Sequence, residues 1–145
     1  MFTFVVGVQV STAQAVEVPK PKPDWSMQLQ GKVDVGACRG HANNPHSITG
    51  GIGYDGYQDC VGNYDVQKVC VKLQELDYYG TYYDRTAYRC SAETVAAHSY
   101  SGGSVTCAGA LEGTFRTYAL GYAWPNGVQH TSSGYSAGVR MRIGY

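Results

Sequence analysis

The sequence lacks an excess of charge of either sign. It has 11 Lys and Arg residues against 11 Asp and Glu residues, so its formal net charge is zero at pH 7. A nucleic acid or an anionic membrane normally selects a cluster of uncompensated basic side chains. The closest basic pairs here are only Lys20 with Lys22 and Arg140 with Arg142. The sequence therefore predicts no nucleic-acid partner and, in the mature form, no membrane partner.

The sequence also lacks an apolar run long enough to span a bilayer. Its most apolar stretch is short and ends at Ala13 and Ala15, a small-x-small pattern that signal peptidase recognises. We interpret residues 1–15 as a signal peptide remnant, residues 16–24 as an extended Pro/Lys linker, and residues 25–145 as a single domain. These features predict a secreted, extracellular protein.

No C-x-x-C pair occurs among the five cysteines, so nothing in their spacing indicates a zinc ribbon or a thioredoxin-like redox site. In an exported chain, cysteines predict disulfides, and five of them leave fifteen two-bridge connectivities open. We favour Cys38 with Cys60, and Cys70 with either Cys90 or Cys107. The odd cysteine is either a buried free thiol or an intermolecular link.

Long amphipathic helices are absent from the pattern, and alternation with a period of two dominates instead. Residues 36–56, rich in Gly and Asn, predict a long loop with at most one short strand at 47–49, and residues 77–84 predict a turn. Residues 93–98 fit either a helical turn or a strand. Strands are predicted at residues 25–35, 64–76, 86–92, 105–107, 114–124, 128–131 and 135–143.

Pro125, Asn126 and Gly127 give the sharpest turn signal, because Asn-Gly supplies the positive φ angles of a hairpin. Short strands separated by turn signals favour an all-β fold. We predict a disulfide-stabilised antiparallel β-sandwich, with an immunoglobulin-like arrangement among the options and a small β-barrel as the alternative.

Tyrosine supplies 13 of the 18 aromatic residues. Two Tyr-Tyr pairs flank a glycine at the turn predicted for residues 77–84, and such rings suit a protein partner or the flat face of a sugar. We therefore predict a ligand-binding site formed by Tyr78, Tyr79, Tyr82, Tyr83 and Trp124.

Candidate catalytic groups are few. His41 and His46 have aspartates nearby in the chain, which permits a small extracellular hydrolase, but their spacing matches no metal motif. Residues 134–138 match the G-x-S-x-G nucleophile elbow, yet the motif requires a following helix, and we expect a strand there. We predict no catalytic residue, no metal site and no cofactor.

The stretch from Val69 to Leu73, Cys90, and the strand from Gly113 to Tyr118 resemble small secreted actinobacterial proteins. The resemblance covers residues 67–122. It implies a disulfide-bonded β-sandwich outside the cell and transfers no active-site residues.

Together these observations favour a secreted, non-enzymatic protein that binds an extracellular protein or a cell-surface polysaccharide through its Tyr-rich loop. A secreted enzyme inhibitor or toxin is one alternative. A small hydrolase that uses His41 or His46 is the other.

Overall fold

Strands make up nearly all of the regular structure. The computed structural model describes residues 20–30 and 35–144, in which the only helical segment is a 3-10 turn at Pro125–Gly127. Within these ranges no helix has the length and apolar character needed to cross a membrane. The strands are β1 (Asp24–Gln30), β2 (Val35–Ala42), β3 (His46–Ile48), β4 (Gly51–Val61), β5 (Val66–Leu76), β6 (Tyr82–Asp84), β7 (Arg89–Cys90), β8 (His98–Thr106), β9 (Leu111–Trp124), β10 (His130–Tyr135) and β11 (Val139–Ile143).

The strands form two antiparallel sheets. In sheet I, β4 pairs with β8 along one edge and with β2 and β3 along the other, and β1 lies outside β2. In sheet II, β9 pairs with β5 along one edge and with β10 and β11 along the other, and β6 and β7 flank β5. The sheets curl together where Lys22 and Tyr135 exchange two backbone hydrogen bonds of 3.1 and 2.9 Å. The all-β prediction is confirmed.

The core lies between the two sheets and is filled by alternate side chains of each strand. Burying a large aliphatic or aromatic side chain contributes about 1.5–3 kcal/mol, so this interface is the main source of stability. Trp25, Val69 and Leu73, which alternate with polar residues in the sequence, are buried in it. The largest buried cluster contains Trp25, Ala42, Ile52, Tyr54, Val69, Val71, Leu73, Phe115, Ala119, Met141 and Ile143.

Each disulfide joins two neighbouring strands of the same sheet, one bridge in sheet I and one in sheet II. The immunoglobulin disulfide, in contrast, connects the two sheets. Cys38 of β2 is bonded to Cys60 of β4, as predicted, and Cys70 of β5 is bonded to Cys90 of β7. Closing loops of this length stabilises a domain by about 3 kcal/mol when the crosslink acts on the unfolded chain. Cys107 is a partly buried free thiol.

The prediction of a long loop at residues 36–56 is wrong. The segment forms most of β2, all of β3 and the first half of β4. Its glycines indicated a loop, but Gly40 lies opposite Trp25 in the β1–β2 ladder, and a Cβ at Gly40 would overlap the indole ring. Glycine here makes room for close packing between strands rather than for a turn.

Several strand boundaries also differ from the prediction. The return strand expected at residues 86–92 is reduced to β7, and β8 begins well before residue 105, at His98. Residues 93–97 contain neither helix nor strand, only a bridge between Thr94 and Gln67. Val35 is not the end of β1 but the exposed first residue of β2. Long-range pairing sets these limits, and local periodicity does not encode it.

The hairpin signal after β9 is confirmed, since Asn126 and Gly127 have φ values of 53° and 77°. Some predictions lie outside the described residues. They are the signal peptide at residues 1–15, most of the linker at residues 16–24, and residues 31–34 of the first predicted strand.

Candidate functional site

The turn between β5 and β6 presents two tyrosines to solvent. Tyr78 is 94% exposed and Tyr79 is 76% exposed, and their rings meet edge to face with centroids 5.4 Å apart. Asp77 orders the turn, because its Oδ1 accepts the backbone N–H groups of Tyr79 and Thr81, both at 2.8 Å. Gly80 has a φ of 88°, which glycine adopts without strain. We call Tyr78 and Tyr79 the hairpin tip.

Tyr82 and Tyr83 do not belong to the hairpin tip, because both lie on β6 and point to opposite sides of it. The Tyr82 ring packs on Arg116, with 3.9 Å between the ring centroid and the guanidinium carbon. The Tyr83 hydroxyl donates to Glu75 Oε1 at 2.9 Å. The four predicted tyrosines are therefore divided among three environments.

Trp124 lies far from the hairpin tip. It pairs with Val66, whereas Tyr82 pairs with Leu76 at the other end of β5. Ten residues along a strand correspond to about 33 Å. The Trp124 ring stacks on Tyr122, with centroids 5.8 Å apart and an interplanar angle of 10°. The structure thus places Trp124 in an aromatic cluster of its own on sheet II.

Three cations on the outer face of sheet II each lie near two aromatic rings. Their distances to the ring centroids range from 3.9 to 5.9 Å, within the range of cation–π attraction. We call this set the aromatic–cation face. It consists of Lys68 with Tyr122 and Trp124, Lys72 with Tyr88 and Tyr118, and Arg116 with Tyr82 and Tyr135.

Asp84 lies on β6, at the edge of this face, and holds Lys72 in place. Its Oδ1 accepts from Gln74 Nε2 and its Oδ2 accepts from Lys72 Nζ, both at 3.0 Å. The hydrogen bond from Gln74, with a further contribution from Lys72, holds the pKa of Asp84 below its usual value despite desolvation. Burial acts to lower the pKa of Lys72, but Asp84 and Tyr88 together raise it above the usual value.

Lys68 and Arg116 form no ion pair with any carboxylate in the described residues. Burial between two rings lowers the pKa of Arg116, and its Nε donates to Gln74 Oε1 at 2.8 Å. Positive charge therefore predominates among the strand residues of this face. The cations are Lys68, Lys72, Arg116, Arg140 and Arg142, and the carboxylates are Asp84 and Glu112.

The outer face of sheet I carries two histidine–aspartate pairs on either side of a tyrosine. His41 Nδ1 lies 2.6 Å from Asp24 Oδ1, and His98 Nδ1 lies 2.6 Å from Asp59 Oδ1. The Tyr57 ring centroid is 5.8 Å from that of His41 and 5.9 Å from that of His98. We call these five residues the histidine face. The register of β1, β2, β4 and β8 brings them together.

Arg39 adds a cation beside the histidine face. It lies opposite Asp59 in the β2–β4 ladder, but Asp59 is already bonded to a histidine. Together with Asp24, Tyr57 and Asp59 it lines a surface depression of about 370 Å³. Lys22 lines a second depression with Asp24 and Arg39. Neither Lys22 nor Arg39 forms an ion pair with a carboxylate of the described residues.

Of the two predicted histidines, His41 belongs to the histidine face and His46 does not. His46 lies opposite Gly53, four residues or about 13 Å along β4 from Tyr57. His98, which was not predicted, takes the second position. The sequence does contain one indication of this face, the spacing Asp-x-Tyr-x-Asp at residues 55–59, which places three polar side chains on the same face of a strand.

The G-x-S-x-G match has a structural role in the described chain. Ser136 is buried, its Oγ accepts the backbone N–H of Thr117 at 2.9 Å, and its hydroxyl donates to the carbonyl of Ala137 at 2.9 Å. Nor do the described residues contain a group of three His, Cys, Asp or Glu side chains that could hold a metal ion.

Comparisons of the chain with protein-family models, with curated proteins and with solved structures find no match. The two sheet faces and the hairpin tip are therefore the grounds on which a function is inferred.

Proposed function

We propose that the protein is a secreted binding module for an acidic polysaccharide and that the aromatic–cation face is its binding surface. The observation that carries this proposal is the placement of three cations, each near two aromatic rings, on one exposed sheet face. The two disulfides indicate an oxidising compartment, which agrees with an extracellular ligand.

The aromatic–cation face is ordered before any ligand arrives. A cation held over a ring has already lost much of its rotamer freedom, so less conformational entropy is lost on binding. Tyrosine and tryptophan combine an apolar ring with a polar group, which suits the mixed surface of a sugar.

Charge favours an acidic rather than a neutral polysaccharide. Lys68 and Arg116 have no carboxylate partner in the described residues, and five cations face two carboxylates on these strands. A carboxylate or sulfate group on the polymer would complement this excess, and a bidentate contact with Arg116 would add orientation.

The hairpin tip supports a second candidate, a protein partner. Tyr78 and Tyr79 are largely exposed and their rings meet edge to face, and tyrosine is one of the residue types that dominate the binding energy of protein interfaces. Because the hairpin tip and the aromatic–cation face use different residues, one experiment distinguishes them.

The test is retention on immobilised polygalacturonate and on cellulose, a neutral comparison polymer. We expect wild type to be retained on polygalacturonate only. Replacing Lys68 and Lys72 by Gln should weaken that retention by about tenfold or more, because roughly 1.4 kcal/mol of binding free energy corresponds to tenfold in affinity. Replacing Tyr78 and Tyr79 by Ala should leave it unchanged.

A matched control changes Arg85 and Arg89 to Gln, which removes the same charge from side chains beside Glu75 and Val71, on the opposite side of β5 from Lys68 and Lys72. Equal loss in the control and the Lys68/Lys72 variant would show nonspecific charge attraction and contradict the proposal. Substituting all four predicted tyrosines is less informative, since Tyr82 holds Arg116 in place. If only the Tyr78/Tyr79 variant loses a ligand, the hairpin tip is the binding site.

A further inference from the structure

Each histidine of the histidine face is arranged for proton transfer. An aspartate at Nδ1 selects the tautomer with hydrogen on Nδ1, so Nε2 is left as a proton acceptor. The same carboxylate stabilises the protonated ring, whose Nε2 then donates. Asp24 and Asp59 each hold one imidazole in this way at 2.6 Å. The face therefore has two groups of the kind used in general acid–base catalysis.

Tyr57 separates the two imidazoles and provides a surface for a ring. Its centroid is nearly equidistant from those of His41 and His98, at 5.8 and 5.9 Å. A pyranose placed over the phenol ring would meet one imidazole on each side. The neighbouring depression of about 370 Å³ has room for such a unit.

Arg39 distinguishes the roles of the two histidines. It lies two residues from His41 on the same face of β2, about 6.6 Å along the strand. Asp59 lies opposite Arg39 on β4, and His98 lies opposite Asp59 on β8. His98 is therefore two strands, or about 9.6 Å, from Arg39 across the sheet. A carboxylate bound by Arg39 therefore places the carbon that bears it nearer to His41.

We propose that the histidine face cleaves a uronate-containing polysaccharide by β-elimination. Arg39 binds the uronate carboxylate, and His41 Nε2 removes the proton from C5, the carbon next to that carboxylate. The C5–H electron pair forms the C4=C5 double bond, the bond from C4 to the glycosidic oxygen breaks, and His98 Nε2 donates a proton to the leaving oxygen. Afterwards His41 releases a proton to solvent and His98 takes one up, so no co-reactant is consumed.

In this reaction His41 and His98 are catalytic residues, whereas Asp24 and Asp59 are positioning residues. The inference takes its polymer class partly from the proposed function. RNA is also a polyanion, so the charges around the histidine face, Arg39 and the nearby Lys22 against Asp24, Asp55 and Asp59, do not separate it from a polyuronate. The elimination requires only one cation, Arg39, on one carboxylate, and cleavage of RNA is one outcome of the test.

The test incubates the purified protein with polygalacturonate, alginate or hyaluronan. Elimination creates a conjugated unsaturated uronate, which is followed by its ultraviolet absorbance and identified by the mass of the new chain end. At least one of the three polymers should be cleaved, and its carboxyl-reduced form should not. H41Q and H98Q should each lower the rate by about 100-fold or more, the range of general acid–base catalysis. R39Q should mainly raise KM.

H46Q is the matched control, because His46 lies on β3 outside the histidine face, and it should cleave at the wild-type rate. Four outcomes would overturn the inference: no unsaturated product from any of the three polymers, equal loss in H46Q, saturated ends produced by hydrolysis, or cleavage of RNA instead.

Binding and cleavage can fail separately. Retention on polygalacturonate without an unsaturated product would leave the proposed function standing and overturn the elimination. If the protein cleaves short oligo-uronates but is not retained on long polymers, the elimination stands and the proposed function is overturned. H41Q should still bind polygalacturonate, since the aromatic–cation face lies on the other sheet.

Discussion

Gln58 is an uncharged polar residue in the centre of the core, and it joins the two sheets. It is fully buried on β4. Its Oε1 accepts from Trp25 Nε1 at 3.2 Å, and its Nε2 donates to Gln67 Oε1 at 2.9 Å and to the Tyr122 carbonyl at 3.0 Å. Ser99 also donates to Gln67 Oε1, at 2.8 Å. Every polar atom of the Gln58 amide therefore has a partner.

Replacing Gln58 by Leu should destabilise the protein by about 3 kcal/mol. Leucine is of similar size, but it leaves the Trp25 N–H and the Tyr122 carbonyl without their partner in the core, and each such group costs about 1–3 kcal/mol. The check is urea denaturation with an unchanged m-value.

Gln28→Leu is the control for this substitution, because Gln28 is exposed on β1 and a surface change of this kind stays within about 0.5 kcal/mol. Equal effects at the two positions would show that the buried hydrogen bonds of Gln58 contribute no more than a surface side chain.

At the scale of the element, the sequence predicts strands well where one face is buried and the other exposed. The alternation of β1, β5 and β9 is visible in the chain, and so are Trp25 in the core and the turn at Asn126. The strands around Gly40 were missed because glycine has the same sequence signal in a turn and beneath an indole ring. Only the pairing partner distinguishes these cases.

Gly40→Ala tests this explanation. The added methyl group would overlap the Trp25 indole, and overpacking of a core typically costs about 1–3 kcal/mol. We expect a lower melting temperature and a red-shifted tryptophan emission as Trp25 becomes more hydrated. Gly109→Ala should be neutral or slightly stabilising, because a Cβ there meets nothing within 4 Å. A Gly40 variant as stable as wild type would mean that the indole can move aside freely.

The candidate sites were less predictable than the strands because each combines residues from several strands. His98 meets Asp59 across 39 positions of sequence, and Lys72 meets Tyr118 only through the β5–β9 register. Local periodicity gives the face on which a side chain lies, but not the neighbour in the next strand. The Tyr-rich turn was identified locally, whereas the aromatic–cation face required the sheet.

At the scale of the whole molecule, formal neutrality conceals a separation of charge. The outer face of sheet II carries an excess of cations, whereas Asp24, Asp55 and Asp59 outnumber Arg39 on the outer face of sheet I. The net charge of the whole chain did not indicate a basic surface, because it adds the charges of both sheets together. A polyanion would therefore be attracted mainly to the sheet II side of the protein, so binding there should have a preferred orientation.

This separation predicts that retention on polygalacturonate depends on salt although the protein has no net charge. Raising ionic strength from 0.1 to 1 M shortens the screening length from about 10 Å to about 3 Å, which should weaken binding by about tenfold or more. The Lys68/Lys72 glutamine variant should show a smaller slope of log Kd against log salt. Affinity that stays constant with salt in wild type would mean that stacking on the tyrosine and tryptophan rings, and not charge, holds the polymer.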